Sequence, residues 1–236
     1  MKNDYVIGVL GGMGTYATIH LFKQYAEIFP AKKEWDRPRI VIDNRCTMPS
    51  RVRAYLYNEN VDQLIDEMTD SMQNLVKIGC NRIILACNTS HLFLQKIYDN
   101  APELEDRVVN IINVCVEKLS NEGIHETYLL GTEGTIDSGV YHIALQNKGI
   151  KCCSPTNDEY YIIRDCIEAV KRNDYTNDIK KKFLKLINRH DTCILGCTEL
   201  PILYESYTES ITCKNVYDPL FIALTKIRNE FEERTL

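Results

Sequence analysis

Two short stretches of this chain pair a cysteine with an apolar approach and a polar exit. Residues 83–91 read IILACNTSH and residues 192–200 read TCILGCTEL. Each runs from apolar residues through a small residue to Cys87 or Cys197, then into polar residues able to start a helix. A thiol at a helix N-terminus meets free N–H groups and the positive end of the helix dipole. That can lower its pKa from ~8.5 into the range ~3.5–7.5, so that it acts as a base near neutral pH. A cysteine after an apolar run can equally be a small buried hydrophobe. The matched pair favours chemistry. Two thiols on opposite walls of a cleft suit one reaction class. One thiolate takes a proton from a tetrahedral carbon, and the other thiol returns one to the opposite face, inverting the centre.

Other groups bear on the ligand. Gly12-Met13-Gly14-Thr15-Tyr16-Ala17 follows an apolar run and fits the dinucleotide pattern G-x-G-x-x-[G/A]. Asp43, the acid that would bind a ribose, comes 29 positions after Gly14, later than the ~20 of that pattern. No Gly-Lys-Ser/Thr follows, which argues against a P-loop. A tight turn whose backbone N–H groups meet any anion, a carboxylate included, is sufficient. Cys87 and His91, four apart, could ligate a metal or form a hydrolytic dyad. The sequence has neither Cys-x-x-Cys nor His-Glu-x-x-His, and no acid partner for a dyad is evident. His91 reads instead as a helix-surface residue or a support behind the site. Arg51, in a polar loop, could hold a carboxylate with two parallel N–H bonds.

The elements that must position these residues alternate. Tyr5–Leu10 reads as a buried strand, followed by the glycine turn and a helix with Ile19, Phe22, Ala26 and Phe29 on its apolar stripe. Arg39–Asp43 reads as a second strand, with a loop over 44–53. Val61, Leu64, Ile65, Met68, Met72, Leu75 and Val76 mark a helix ended by Gly79. Arg82–Ala86 is a third strand, Ser90–Tyr98 a helix and Arg107–Val114 a fourth strand. The pattern then restarts. Leu130-Gly131-Thr132-Glu133-Gly134-Thr135 lies 120 positions beyond Leu10-Gly11-Gly12-Met13-Gly14-Thr15, and Cys197 lies 110 beyond Cys87. A helix over 136–147, a short strand at 151–153 and helices over 160–171 and 179–189 follow. A strand leads to Cys197, and a last strand at 214–218 precedes a closing helix. Strand–helix alternation predicts an α/β fold of two similar domains, each a parallel sheet flanked by helices. The expected boundaries are 1–116 with 214–236, the C-terminal helix packing back, and 117–213. Ligands of such sheets gather at the C-terminal strand ends.

A length of 236 residues with 44% hydrophobic and 26% charged residues suits a soluble globular chain. No apolar stretch is long enough to span a membrane, and the N-terminus runs directly into a strand, so a cytoplasmic location without a secretory signal is expected. The ten cysteines lie largely in apolar runs and read as reduced thiols. A net charge of −5 without a long basic run argues against nucleic acid.

Together these motifs resemble the aspartate/glutamate racemase family, in its cofactor-independent aspartate racemase branch. The resemblance is carried by Gly11-Gly12-Met13-Gly14 with Ala17-Thr18, Pro49-Ser50-Arg51, Ala86-Cys87-Asn88-Thr89-Ser90-His91, Gly131-Thr132-Glu133-Gly134-Thr135 and Gly196-Cys197-Thr198-Glu199-Leu200. It implies two domains related by pseudo-twofold symmetry, with the active site in the cleft between them. It implies Cys87 and Cys197 as the catalytic acid/base thiols, with no pyridoxal phosphate or metal, and a homodimer. The substrate would be a dicarboxylic amino acid, L- and D-aspartate or also glutamate, contacted by Met13, Gly14, Asn44, Arg51, Asn88, Thr89, Thr132, Lys171, Thr198 and Glu199. Arg164 competes with Lys171 for the side-chain carboxylate. Thr15 stands where the family usually has Pro, and Ser50 where it usually has Asp. Hydantoin racemases, maleate isomerases and arylmalonate decarboxylases share the cysteines. A non-catalytic amino-acid or nucleotide-binding module is the reading from another class.

Overall fold

The computed structural model describes residues 4–235, the last of these without its side chain. The chain divides into two compact units, 1–111 with 220–236 and 112–219.

The first unit holds β1 (Val6–Gly11), α1 (Thr15–Ile28), β2 (Arg39–Asn44), α2 (Arg51–Tyr57), α3 (Val61–Ile78), β3 (Arg82–Leu85) and α4 (Leu94–Asn100). Helix α5 (Ile111–Asn121) begins where the first unit passes into the second. The second unit holds β4 (Glu126–Gly131), α6 (Glu133–Asp137), α7 (Val140–Gln146), β5 (Lys151–Cys153), α8 (Asn157–Arg172), α9 (Asn177–Ile187), β6 (Thr192–Gly196), α10 (Leu200–Ser206) and β7 (Asn215–Tyr217). Helix α11 (Pro219–Thr235) returns to the first unit, where Glu230 accepts from Tyr5 Oη at 3.3 Å and Arg82 Nε at 2.8 Å.

Both sheets are parallel, in the orders β2-β1-β3 and β5-β4-β6-β7. The order β2-β1-β3 recurs as β5-β4-β6. Leu10 pairs with Leu85 in one sheet, and Leu130 pairs with Leu195 in the other. Each paired leucine of β3 and β6 stands two residues before a cysteine, so the sequence repeat is also a repeat of topology and register. Every residue of β1 and of β6 is buried, as expected of central parallel strands. Helix α3 buries Leu64, Met68 and Met72 completely, at roughly 1.5–3 kcal/mol of apolar transfer each. It ends on Gly79 in the left-handed region, φ 100°.

Four expectations change. Part of the apolar stripe expected for α1 faces outward: Ile19 is 58% and Phe22 48% exposed, while Ala17, Thr18, His20, Leu21 and Gln24 are buried, with Phe29 of the stripe, just beyond the helix, also buried. The rotation follows polar anchors. Thr18 Oγ1 accepts the Gly12 N–H at 3.1 Å and donates to Gly14 O at 3.0 Å, and Tyr25 Oη donates to Pro38 O at 2.6 Å. The strand expected over 107–114 reduces to a single bridge, Ile83 to Val108. Ile111, Cys115 and Leu119, all fully buried, carry a four-residue spacing into α5, so helix wins over the local β-branched run. The helix expected over 136–147 breaks into α6 and α7 at Gly139, φ 69°. Strand β7, expected in the first domain, pairs with β6 instead, which carries residues 214–219 into the second unit.

Candidate active site

In the first unit the groups of interest collect at the C-terminal ends of β1, β2 and β3. The turn after β1 is set by Gly12, φ 80°, where an added Cβ would lie 2.5–2.6 Å from backbone atoms of Arg45 and Cys46. Only glycine tolerates that conformation and that approach. Gly14 is the residue before α1, and its carbonyl takes both the Thr18 N–H and the Thr18 hydroxyl. Asn44 ends β2 opposite Gly11 and is exposed, its amide donating to Thr15 Oγ1 at 3.4 Å. Met13 is buried and held twice. Its sulfur accepts from Ser90 Oγ at 2.9 Å, and its carbonyl accepts from Arg51 Nη2 at 2.9 Å. Arg51 is the first residue of α2, which Ser50 caps by accepting from Arg53 N–H, rather than part of a loop. Its Nη1 donates to Pro49 O, and Nε is buried without a partner. No carboxylate pairs with Arg51 among the described residues, so a cation with spare donors stands beside the glycine turn.

Cys87 lies two residues beyond β3 and is partly exposed. Asn88 and Thr89 are buried behind it at the start of a single 3-10 turn, Thr89–Phe93. His91 lies on this turn but is 7% exposed, not a surface residue. Its Nδ1 is 3.0 Å from Cys87 O, and its Nε2 accepts the Ile111 N–H at 3.3 Å. A backbone N–H can only donate, so Nε2 is the acceptor and the ring proton sits on Nδ1. Burial outweighs the backbone acceptors and holds the imidazole down at about 4. A ring that is neutral at pH 7, with both nitrogens engaged, cannot serve Cys87 as an acid–base partner. The described residues contain no cluster of three or more His, Cys, Asp or Glu able to hold a metal.

The second unit repeats the placement with different chemistry. Thr132 caps α6, accepting from Thr135 N–H at 3.2 Å, so its hydroxyl shapes the second glycine turn. Cys197 follows β6 directly and is 6% exposed. Its thiol donates to Glu199 Oε2 at 2.9 Å, and Thr198 Oγ1 donates to the same oxygen at 3.4 Å. Glu199 is 2% exposed, and its Oε1 is buried without a partner. Burial first, then the Glu199 carboxylate, pushes the Cys197 thiol well above its ordinary value, against a smaller lowering by the Lys171 charge. The sequence-based expectation of a helix-lowered thiolate therefore fails at Cys197. Helix α10 is short and preceded by Glu199 itself, so desolvation and an adjacent carboxylate outweigh the dipole.

Lys171, in the last turn of α8, donates to Glu168 Oε1 at 2.9 Å. Burial lowers its pKa, but Glu168 and the charges of Glu199 and Cys197 raise it overall. Arg164, two turns earlier on the same face of α8, pairs with Glu133 and lies over the Tyr161 ring. Each unit thus gathers expected residues near the C-terminal ends of its strands, with Arg164 tied to Glu133 in the turn after β4. Sequence reasoning missed three side chains of this frame and their five bonds: Thr18 to Gly12 and Gly14, Ser90 to Met13, and His91 to Cys87 and Ile111.

Comparison with known proteins bears on this arrangement. Residues 10–227 match the family described as Asp/Glu/Hydantoin racemase. The fold superposes on an aspartate racemase of Picrophilus torridus with a TM-score of 0.82 at 27% identity, covering 98% of this chain and 100% of the other. A broad specificity amino-acid racemase, RacX, of Bacillus subtilis is 24% identical over 203 residues, 83% of this chain and 86% of that protein. A glutamate racemase of Lysinibacillus sphaericus is 31% identical over 140 residues, 55% of this chain and 49% of its own length. With two parallel α/β sheets, a cysteine after the third strand of each repeat and a family match over nearly the whole length, the chain belongs to the Asp/Glu/Hydantoin racemase family and is an isomerase.

Proposed function

We propose that the protein is a cofactor-independent amino-acid racemase that interconverts L- and D-aspartate, and also glutamate, with Cys87 and Cys197 as the two proton-transfer groups. The observation that carries this reading is the hydrogen bond from the Cys197 thiol to buried Glu199. It leaves Cys197 as the acid of the pair, and Cys87, partly exposed and lacking a carboxylate partner of this kind, as the base. Cys87 takes the α-proton from one enantiomer, and Cys197 gives its proton to the other face of the resulting carbanion. The product leaves with Cys87 protonated and Cys197 as thiolate, a state that the Lys171 charge favours. Running backwards, the same step accepts the opposite enantiomer. Glu199 carries no proton in this scheme; it sets which thiol rests protonated.

The cations support the substrate class. Arg51 beside the Met13 carbonyl and Lys171 beside Glu199 suit the two carboxylates of a dicarboxylic amino acid. The aspartate racemase likeness supports the same choice. Optical rotation or chiral chromatography with aspartate, glutamate and alanine tests it. Turnover of both enantiomers of aspartate, with alanine left unchanged, is expected. Turnover of alanine at the same rate, or of no amino acid, would overturn the reading.

A further inference from the structure

We propose that His91 is a positioning residue for Cys87: its ring holds the Cys87 carbonyl on one side and the Ile111 amide on the other, and so fixes the peptide from which the thiol hangs. The inference rests on the reading that Cys87 transfers protons.

In a regular α-helix the Cys87 carbonyl would accept the His91 N–H, four residues on. Here that N–H goes to Asn88 O at 3.1 Å, because the segment opens as a 3-10 turn. The Cys87 carbonyl therefore lacks its helical donor, and the His91 ring N–H supplies one at 3.0 Å. At the other end of the ring, Ile111 opens α5, and the first N–H groups of a helix have no partner within it. His91 Nε2 takes that N–H. One buried imidazole thus satisfies two backbone groups left over by two helix starts. It also ties the turn that carries Cys87 to fully buried Ile111, within the first unit. The Cys87–Asn88 peptide cannot rotate without breaking a bond to a buried ring. Proton transfer from carbon needs the sulfur within a few tenths of an ångström of its line of attack, and a misplacement of about 1 Å costs about 10²-fold.

The test compares wild type with His91→Asn, which keeps an N–H donor near the Nδ1 position, and His91→Leu, which keeps neither bond. Two readouts are used: kcat and KM for aspartate racemisation, and the rate at which iodoacetamide alkylates Cys87, followed by peptide mass spectrometry. In His91→Leu, kcat should fall about 10²-fold with KM within about threefold, and Cys87 alkylation should change several-fold. His91→Asn should regain at least about tenfold of the lost kcat. Wild-type kcat and alkylation in a folded His91→Leu protein would overturn the proposal, as would equal impairment of the two variants or a loss confined to KM. If His91→Leu does not fold, His91→Gln, whose amide reaches toward the Nε2 position, replaces it. His91→Asn must then hold Cys87 reactivity closer to wild type than His91→Gln does. The alkylation arm needs no substrate, so a wild type that racemises nothing refutes the proposed function while Cys87 reactivity still decides the role of His91.

Discussion

Replacing Glu199 by Gln should move Cys197 from a firmly held thiol toward a thiolate. The carboxylate and the sulfur are in hydrogen-bond contact at 2.9 Å, both nearly excluded from solvent. Two unit charges about 4 Å apart interact by about 4 kcal/mol at an effective dielectric near 20. Gln keeps a dipole in place of the charge and the surroundings relax, so only part of this is released. At about 1.4 kcal/mol per factor of ten, the thiolate fraction of Cys197 should rise between about tenfold and about 10³-fold. The desolvation component is untouched, so the thiol stays harder to ionise than a free one. Two assays read this. Cys197 alkylation, followed against pH by peptide mass spectrometry, should begin at lower pH in Glu199→Gln. The limb of the pH–rate profile that requires Cys197 protonated should move the same way. Lys171→Met gives the opposite sign, because the Lys171 charge lowers Cys197. L- and D-amino acids have equal free energies in achiral solvent, so kcat/KM must stay equal for the two hands in every variant; the profile moves for both together. Alkylation and rate profiles identical to wild type in Glu199→Gln would refute the assignment of Cys197 as the resting acid.

Three further outcomes follow from the geometry. Gly12→Ala should destabilise the protein by about 2 kcal/mol or more, because a left-handed non-glycine residue costs roughly 1–2 kcal/mol before any clash with the Arg45–Cys46 backbone; the check is a lower urea midpoint at unchanged slope. Arg51→Ala should raise KM for aspartate at least about tenfold, since it removes a guanidinium worth about 1.5–3 kcal/mol per charged hydrogen bond; an unchanged KM counts against a carboxylate grip. His91 is held at about 4 against an ordinary 6.5. Its contribution is present above pH 6.5 and is lost as pH falls toward 4, about 3 kcal/mol in all, so denaturation followed over that window should lose a component of that size in His91→Leu.

Much of the frame was legible in the residues. The buried run of β1, the glycine turn at Gly12, the seven-residue stripe of α3 and the spacing of the two cysteine stretches are local signals, and all mark elements that are present. What was not legible depended on partners distant in sequence. The face that α1 buries was set by Thr18 and Tyr25 reaching the glycine turn and Pro38, so the hydrophobic stripe of Ile19 and Phe22 misled. The segment after Arg107 has β-branched residues that suit a strand, yet the four-residue spacing of Ile111, Cys115 and Leu119 decided for helix. A helix start, a local feature, predicts a lowered Cys197 thiol, whereas its state follows from burial and from the Glu199 carboxylate beside it. The role of His91 depends on Ile111, twenty residues on, and that of Arg51 on Met13, 38 residues back; nothing in either local sequence announces them.

The central claim is that Cys87 and Cys197 divide the two proton transfers between them. Each enantiomer of aspartate is incubated in D₂O with wild type, Cys87→Ser and Cys197→Ser, and α-deuteration and inversion are followed separately by NMR and chiral chromatography. The account predicts that wild type inverts both enantiomers with deuterium incorporation. Each serine variant should lose inversion by at least about 10²-fold, with any residual exchange confined to one enantiomer, the opposite one in the two variants. Inversion at the wild-type rate by either serine variant would contradict it.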